Sequence, residues 1–194
     1  MPREITYDPA KLKLDVMTLF WAKGYSDTSL ADLEAATGLN RRQLYNGIGD
    51  KRSMFLHAMD EFTHLSGQSL LLPLERDEAG IADIAELFAK FVEMSKLPEG
   101  PKGCLVCSTS QDDIAQDPSV AERMNLFFDR IRSAHLNALS RAAARKEIAL
   151  DAAQIGVRAD ALFGTHVALC ILARAGRPTP QLMNIKSQAL SALN

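Results

Sequence analysis

Residues 28–52, T-S-L-A-D-L-E-A-A-T-G-L-N-R-R-Q-L-Y-N-G-I-G-D-K-R, contain two helix starts separated by one enforced helix stop. Ser29 stands three residues before Asp32 and directly ahead of Leu30, the spacing of a capping box. It opens a helix of about two turns, in which Leu30, Leu33, Ala36 and then Leu39 are expected to share one apolar face. Gly38 follows Thr37 where that helix must end, because glycine adopts left-handed backbone without a Cβ clash. Asn40 is then a good N-cap for a second helix through Arg41, Arg42, Gln43, Leu44, Tyr45 and Asn46. The stretch reads as two short helices joined by a tight turn.

The second helix is chemically lopsided. Leu44 and Ile48 are four apart and are expected to turn inward together beside Leu39. Arg41, Arg42, Gln43, Tyr45 and Asn46 remain on the other sides, and all carry groups that hydrogen-bond phosphates or base edges. A helix–turn–helix lays such a helix in the DNA major groove with its N-terminal residues nearest the bases. The plainer alternative is a surface hairpin with a solvated basic corner, since glycine-turned helix pairs are common.

A wider pattern surrounds the hairpin: F-x-x-x-G-Y-x-x-T-S (Phe20, Gly24, Tyr25, Thr28, Ser29), G-L-N (Gly38, Leu39, Asn40), L-Y (Leu44, Tyr45) and D-K (Asp50, Lys51). In this order and spacing, over roughly residues 10–60, the chain resembles the N-terminal domain of the TetR family of bacterial transcriptional regulators. One departure is Ile48, between Gly47 and Gly49, where the family often carries an aromatic residue; a looser joint into the next helix is expected from it. The resemblance implies an all-α fold of about nine helices. Residues 1–60 would form a three-helix helix–turn–helix domain, and residues 61–194 a helical effector-binding and dimerisation domain. It further implies a homodimer that binds a palindromic operator in double-stranded DNA and is released by a small-molecule effector. By the same resemblance Tyr45 and Lys51 contact the DNA backbone, with a phosphate contact from Thr28 or Ser29. Together with Asn40, Arg41, Arg42, Gln43 and Asn46 they make up the expected DNA-binding set.

Charge adds nothing to this reading in bulk. The net charge is −2, and residues 1–60 hold eight Lys/Arg against eight Asp/Glu. What supports nucleic-acid binding is placement, since Arg41, Arg42, Lys51 and Arg52 cluster within one short segment. Three cysteines, Cys104, Cys107 and Cys170, cannot form a fully paired disulfide framework. No N-terminal apolar stretch resembles a signal peptide, and the longest apolar run, Val167 to Ala173, is too short to span a bilayer. The expectation is a cytoplasmic protein with reduced thiols and no membrane contact.

Residues 1–9 look like a loose arm, with Asp8 as the cap and Pro9 at the first position of a helix running to about Lys23. Leu12, Val16, Leu19 and Phe20 recur along it at helical spacing. Asp50 caps a fourth helix whose buried stripe is Met54, Phe55, Ala58, Met59 and Phe62, and Lys51 adds charge where free backbone N–H groups suit a phosphate. Ile81, Ile84, Leu87, Phe88, Phe91 and Val92 mark a fifth helix, broken at P-E-G-P-K-G over residues 98–103, the clearest loop in the chain. A sixth helix is expected near Cys104, a seventh from Asp117-Pro118, an eighth over 151–176 and a ninth from Thr179-Pro180. No period-two alternation and no internal repeat appear. The eighth mixes Ile155, Leu162, Phe163, Val167, Leu169 and Ile171 with small residues, and the ninth repeats Leu182, Ile185, Ala189, Leu190 and Leu193. Either set could be core, but in TetR-like proteins these two elements, here near 151–176 and 180–193, form the dimer.

Cys104 and Cys107 form a C-x-x-C just after Gly103. On one face of a helix start the pair would have depressed pKa values and heightened reactivity, the alternative reading being a thiol sensor of oxidants or electrophiles. The plainer reading is two small packing residues, and Gly103-Cys104-Leu105 resembles a G-C-L opening found at this helix in many TetR-like proteins. His166 and Cys170 are four apart, but their spacing to the C-x-x-C does not match a zinc module, so no metal is expected. No nucleophile–His–acid constellation, Walker loop or Gly-rich nucleotide motif can be found, so neither a cofactor nor an enzyme is expected. A helical enzyme or interaction protein that has kept the hairpin is the remaining rival. The expected effector pocket gathers large or polar residues on the inward helices: Phe88, Phe91, Met94, Cys104, Cys107, Phe127, Phe128, Phe163 and His166.

Overall fold

The computed structural model describes residues 7–97 and 103–193. The expected arm lies outside the described residues up to position 6, and the expected Pro/Gly loop does so over 98–102. All regular structure among the described residues is helical. Helix α1 (Pro9–Lys23) starts where Asp8 accepts from the Ala10 N–H at 2.9 Å. It buries Leu12, Val16, Met17 and Phe20, one face at helical spacing. Helix α2 (Leu30–Thr37) opens on a full capping box. Ser29 Oγ accepts from the Asp32 N–H at 3.1 Å, and the Asp32 carboxylate accepts from the Ser29 N–H at 2.8 Å. Gly38 ends it at φ 70°, the left-handed conformation its position requires.

Helix α3 (Arg41–Gly47) repeats the device with Asn40 and Gln43, each side-chain oxygen accepting from the other's backbone N–H at 3.0 Å. Leu44 is fully buried and Ile48 half-buried, while Ala36 is exposed. The expected four-residue face of α2 therefore narrows to Leu33, flanked by half-buried Leu30 and Leu39. A helix of two turns has one central inward position, and Ala36 lies past it. The joint after α3 runs through Ile48. Its N–H donates to Leu44 O at 2.9 Å, and Asp50 caps the next helix through the Ser53 N–H at 2.7 Å.

Helix α4 (Lys51–Ser66) buries Met54, Phe55, Ala58, Met59 and Phe62, as its periodicity requires. It does not stop there. A π-helical turn (Gly67–Leu71) and one further α turn (Leu72–Glu75) carry it on, and Leu71 and Leu74 join the core. Then follow α5 (Ile81–Met94), the short α6 (Leu105–Thr109), a 3-10 turn (Asp113–Gln116) and α7 (Pro118–Ala144), whose start Asp117 caps. Helices α8 (Ala152–Arg174) and α9 (Thr179–Ser191) complete the chain.

α1 packs on α2 and α4, and α8 packs on α5, α7 and α9. The Phe55 ring lies 5.1 Å from Phe20 and 5.0 Å from Tyr25, an aromatic cluster that joins α1, the turn after it and α4. Taken whole, α8 is more apolar than its longest uninterrupted run suggested. By length and composition it is long and apolar enough to cross a membrane, although only 33% of its most apolar window is buried. Its sequence also carries Arg158 and Asp160, and Asp160 accepts from Arg132 of α7 at 2.5 Å.

Candidate nucleic-acid interface and effector cavity

Anchored by Leu44, α3 turns Arg41, Arg42, Tyr45 and Asn46 to solvent, with Tyr45 44% exposed. Gln43 is half-buried and its carbonyl is spent on the cap, as is that of Asn40. Glu34 accepts from the Arg41 N–H at 2.6 Å, fixing the start of α3 against α2. Ser29 is exposed at the head of α2. Thr28 is not available for the phosphate contact expected of it. It is buried, and its hydroxyl donates to Gly24 O at 2.6 Å, closing the turn between α1 and α2. Lys51 stands over the Tyr25 ring at 4.3 Å, a cation–π contact that holds its ammonium near the first turn of α4.

Arg52 departs from the basic cluster its sequence position suggested. Its guanidinium donates to both Asp117 oxygens at 2.6 and 2.8 Å and to Ser119 Oγ at 3.1 Å. That bidentate hydrogen bond holds the Asp117 carboxyl well below its ordinary range, at about 2. A second carboxylate, Asp112, takes the Ser26 N–H at 3.0 Å and its hydroxyl at 2.8 Å. Partial burial works to raise the Asp112 pKa, but the hydrogen bonds from Ser26 and Ile114 outweigh it and lower the value. Behind them Arg174, at the end of α8, donates to Trp21 O at 2.8 Å and Ala22 O at 2.9 Å. The Trp21 indole N–H reaches Gly103 O at 3.2 Å. Gly103 can lie this close to α8 because it has no Cβ: one built there would stand 2.5 Å from Cys170 O, at a φ of 76°. The first helices are thus tied to the later ones through polar contacts as well as through core.

Between them lies a cavity of about 230 Å³. Of the expected pocket residues Phe91, Met94, Cys104, Phe127 and His166 line it. The others do not. Phe88 is buried behind the wall against His135, with ring centroids 5.7 Å apart, and Phe128 and Phe163 meet each other 5.8 Å apart on another side. Adjacent residues on a helix point about 100° apart, so Phe127 and Phe128 cannot share a face. Cys107 belongs to an open groove with Ser26, Asp112 and Arg174. The walls that sequence reasoning missed include Met17 and Trp21 of α1, Phe62, Leu65 and Ser66 of α4, and Ser69 and Leu70 of the π turn. Trp21 and Phe62, 5.1 Å apart, had the signal of large apolar residues, but no spacing showed that α1 and α4 face α8.

Among the described residues no charged side chain lines this cavity. His166 is 3% exposed, with its Nδ1 buried and without a hydrogen-bond partner, and its ring meets Phe91 edge-on at 4.6 Å. Fully buried His135 stands 5.8 Å behind it with neither ring nitrogen paired. Burial lowers both pKa values, His135 to about 4 and His166, with His135 beside it, to about 3. Both imidazoles are neutral at physiological pH.

The C-x-x-C does not have the environment of a reactive pair. Cys104, Cys107 and Cys170 are all buried free thiols. Burial, with Cys107 beside it, raises the Cys104 pKa well above its ordinary value. For Cys107 the contact with Cys104 works to lower the pKa, but Cys170 and burial outweigh it and raise it. Desolvation overrides the helix start, because α6 has only five residues and both of its thiols are buried. Among the described residues no group of three or more His, Cys, Asp or Glu is placed to hold a metal ion.

Helix α8 has two apolar faces. Ile155, Ala159, Leu162, His166, Leu169, Cys170 and Ala173 are buried inward. Ala153, Val157, Ala161, Gly164 and Ile171 are exposed on the other side, Val157 at 67%. Met183 of α9 is likewise exposed at 47%.

A family model described as "Tetracyclin repressor-like, C-terminal domain" matches residues 80–185. The uncharacterized HTH-type transcriptional regulator YezE of Bacillus subtilis strain 168 is 25% identical over 194 residues, spanning 100% of both chains. The HTH-type transcriptional repressor ComR of Escherichia coli K12 is 31% identical over 101 residues, 50% of this chain and 48% of ComR. Among solved structures, a cysteine mutant of the TetR family regulator CifR, complexed with 26bp double-strand operator DNA, superposes with a TM-score of 0.87. It is 22% identical over 99% of this chain and 100% of that one. The reduced form of E. coli NemR gives a TM-score of 0.81 at 13% identity, over 96% of this chain and 97% of that one. At these identities the two structures speak for the fold.

Proposed function

This chain belongs to the TetR family of transcriptional regulators, and from that premise we propose that it is a homodimeric, sequence-specific DNA-binding repressor released from a palindromic operator by a small molecule. One observation carries the reading: α3, pinned by Leu44 alone, offers Arg41, Arg42, Tyr45 and Asn46 to solvent on a helix short enough to enter a major groove. In this reading residues to about 60 bind DNA. Arg42 and Asn46 reach base edges, while Tyr45 holds a phosphate from within α3 and Ser29 and Lys51 hold phosphates at helix starts. CifR, a relative in fold, was captured on operator DNA, and ComR is a repressor. The protein would work in the cytoplasm, as a binder rather than an enzyme.

Residues 61–194, with Met17 and Trp21 of α1 closing the cavity, would hold the effector, and they would also hold the second copy. The outer face of α8, with Val157, Ala161, Gly164 and Ile171, and α9 beside it supply an apolar surface suited to a four-helix contact. Release follows from two-state linkage. Trp21 lines the cavity and also contacts Gly103 and Arg174, so a molecule filling the cavity bears directly on the end of α1. The Ser26–Asp112 and Arg52–Asp117 bonds then carry the shift to α2 and α4. A hundredfold preference of the effector for the released form corresponds to about 2.7 kcal/mol. The geometry disfavours a thiol sensor, since buried protonated thiols are poor nucleophiles.

Selection of binding sites from random duplex DNA tests the reading. One palindromic sequence should emerge, and Arg42→Ala and Tyr45→Ala should each weaken it roughly 10- to 100-fold, about the worth of one good polar contact. A folded dimer that enriches no sequence at low salt would refute the regulator reading.

A further inference from the structure

The cavity's lining limits what can enter it, and this limit goes one step beyond the proposal of an effector, on which it rests. Its walls are aromatic and aliphatic, including Trp21, Phe62, Phe91 and Phe127. Among the described residues no Lys, Arg, Asp or Glu lines it, so a bound carboxylate or ammonium would meet no counter-charge from them. Ser66 and Ser69 bring hydroxyls to its rim, Ser69 already donating to Leu65 O, and His166 brings the one imidazole among the described lining residues. It is almost wholly buried, reaches the cavity wall and has an unpaired ring nitrogen, and unpaired His135 backs it. A Phe in either place would bury no polar atom, so the imidazoles are best explained by a polar group they meet. A neutral imidazole offers one donor and one acceptor. A hydroxyl can answer either tautomer, whereas a carbonyl can answer only the donor. The volume, about 230 Å³, exceeds the roughly 150 Å³ of an apolar cavity that takes up benzene, and leaves room for one ring with a short substituent. Leu65 and Ser69 are exposed at its edge and give a way in from the surface.

We propose that the cavity is a site for a neutral, single-ring aromatic alcohol of the phenol type, its ring held among Trp21, Phe62, Phe91 and Phe127 and its hydroxyl hydrogen-bonded to His166. The low histidine pKa values keep the site uncharged at neutral pH, consistent with an uncharged ligand.

Trp21 is the only tryptophan in the chain, so its fluorescence reports on the cavity without reference to DNA. The intact protein is titrated with 4-ethylphenol, ethylbenzene and 4-ethylbenzoate. The phenol should give a saturable change at least tenfold tighter than ethylbenzene, and the benzoate none. In His166→Phe the phenol should lose that tenfold advantage while ethylbenzene binds within about threefold of before, which also shows the variant's cavity to be intact. Equal affinity for phenol and ethylbenzene in the unsubstituted protein, preferred binding of the benzoate, or no saturable change with any probe overturns the proposal, even where His166→Phe fails to fold. The same titration on operator-bound protein separates the two readings. Tight phenol binding without DNA release upholds the site's chemistry and counts against the effector-released repressor. Release by ethylbenzene and phenol alike upholds the repressor and overturns the role of His166.

Discussion

Helices α3 and α8 place their chemistry in opposite ways. α3 has one buried residue, Leu44, and shows polar groups on every other side. α8 is apolar almost all round, one face built into the core and the other exposed. A polar face on a pinned helix has few uses beyond solvation and recognition, so its composition announces its role. An apolar face has two uses, packing inward or packing against another chain, and composition cannot separate them. The function of α3 lies in what its side chains are, that of α8 in where they point.

The sharpest way to break this contrast is on the outer face of α8. Val157→Glu puts a charge on a surface that is exposed in one chain but apolar. The fold should survive, while sedimentation should show a monomer. Operator affinity should then fall by roughly 100- to 10,000-fold, because two half-sites no longer bind as one ligand. A Val157→Glu dimer with full operator affinity would move the interface elsewhere.

Two neighbours on α3 sharpen it further. Leu44→Ala empties a fully buried position, and urea unfolding should show a loss of about 2–5 kcal/mol. Tyr45→Ala, one residue on and exposed, should change stability by less than about 0.5 kcal/mol while weakening operator binding. If both behaved alike, α3 would not be a one-anchor helix.

A pH-dependent effect comes from two buried imidazoles, His166 on the inner face of α8 and His135 facing it from α7. His166 and His135 have folded pKa values pushed down to about 3 and about 4, against an unfolded value near 6.5. Between those values the unfolded chain binds protons that the fold refuses, so stability rises with pH through that window. It should be full above about pH 6.5 and decline as pH falls toward 4, by about 1.4 kcal/mol per pH unit for each histidine. His135→Phe should flatten the slope of urea midpoint against pH. An unchanged slope would mean that the pair is not buried neutral.

How much was legible follows the range of the interactions. Caps act over two or three residues, so Asp8, Ser29, Asn40, Asp50 and Asp117 all mark helix starts that the structure has. Thr28 misled because a hydroxyl at a helix start suits a phosphate or a carbonyl equally, and only the turn after α1 shows Gly24 O in reach. Arg52 misled because its partner Asp117 lies 65 residues away. The π turn over Gly67–Leu71, which carries α4 on beyond its apolar stripe, has no residue pattern that marked it beforehand.

The sequence by itself determined an all-helical chain, the capped hairpin and the identity of the outward face of α3, because periodicity and capping are properties of neighbours along the chain. Tertiary structure alone decided that α1 and α4 complete the cavity, that His135 stands behind His166, that both thiols of the C-x-x-C are buried and that Val157 faces outward. Those outcomes depend on which helices meet and at what rotation, and that is fixed by packing between segments many tens of residues apart.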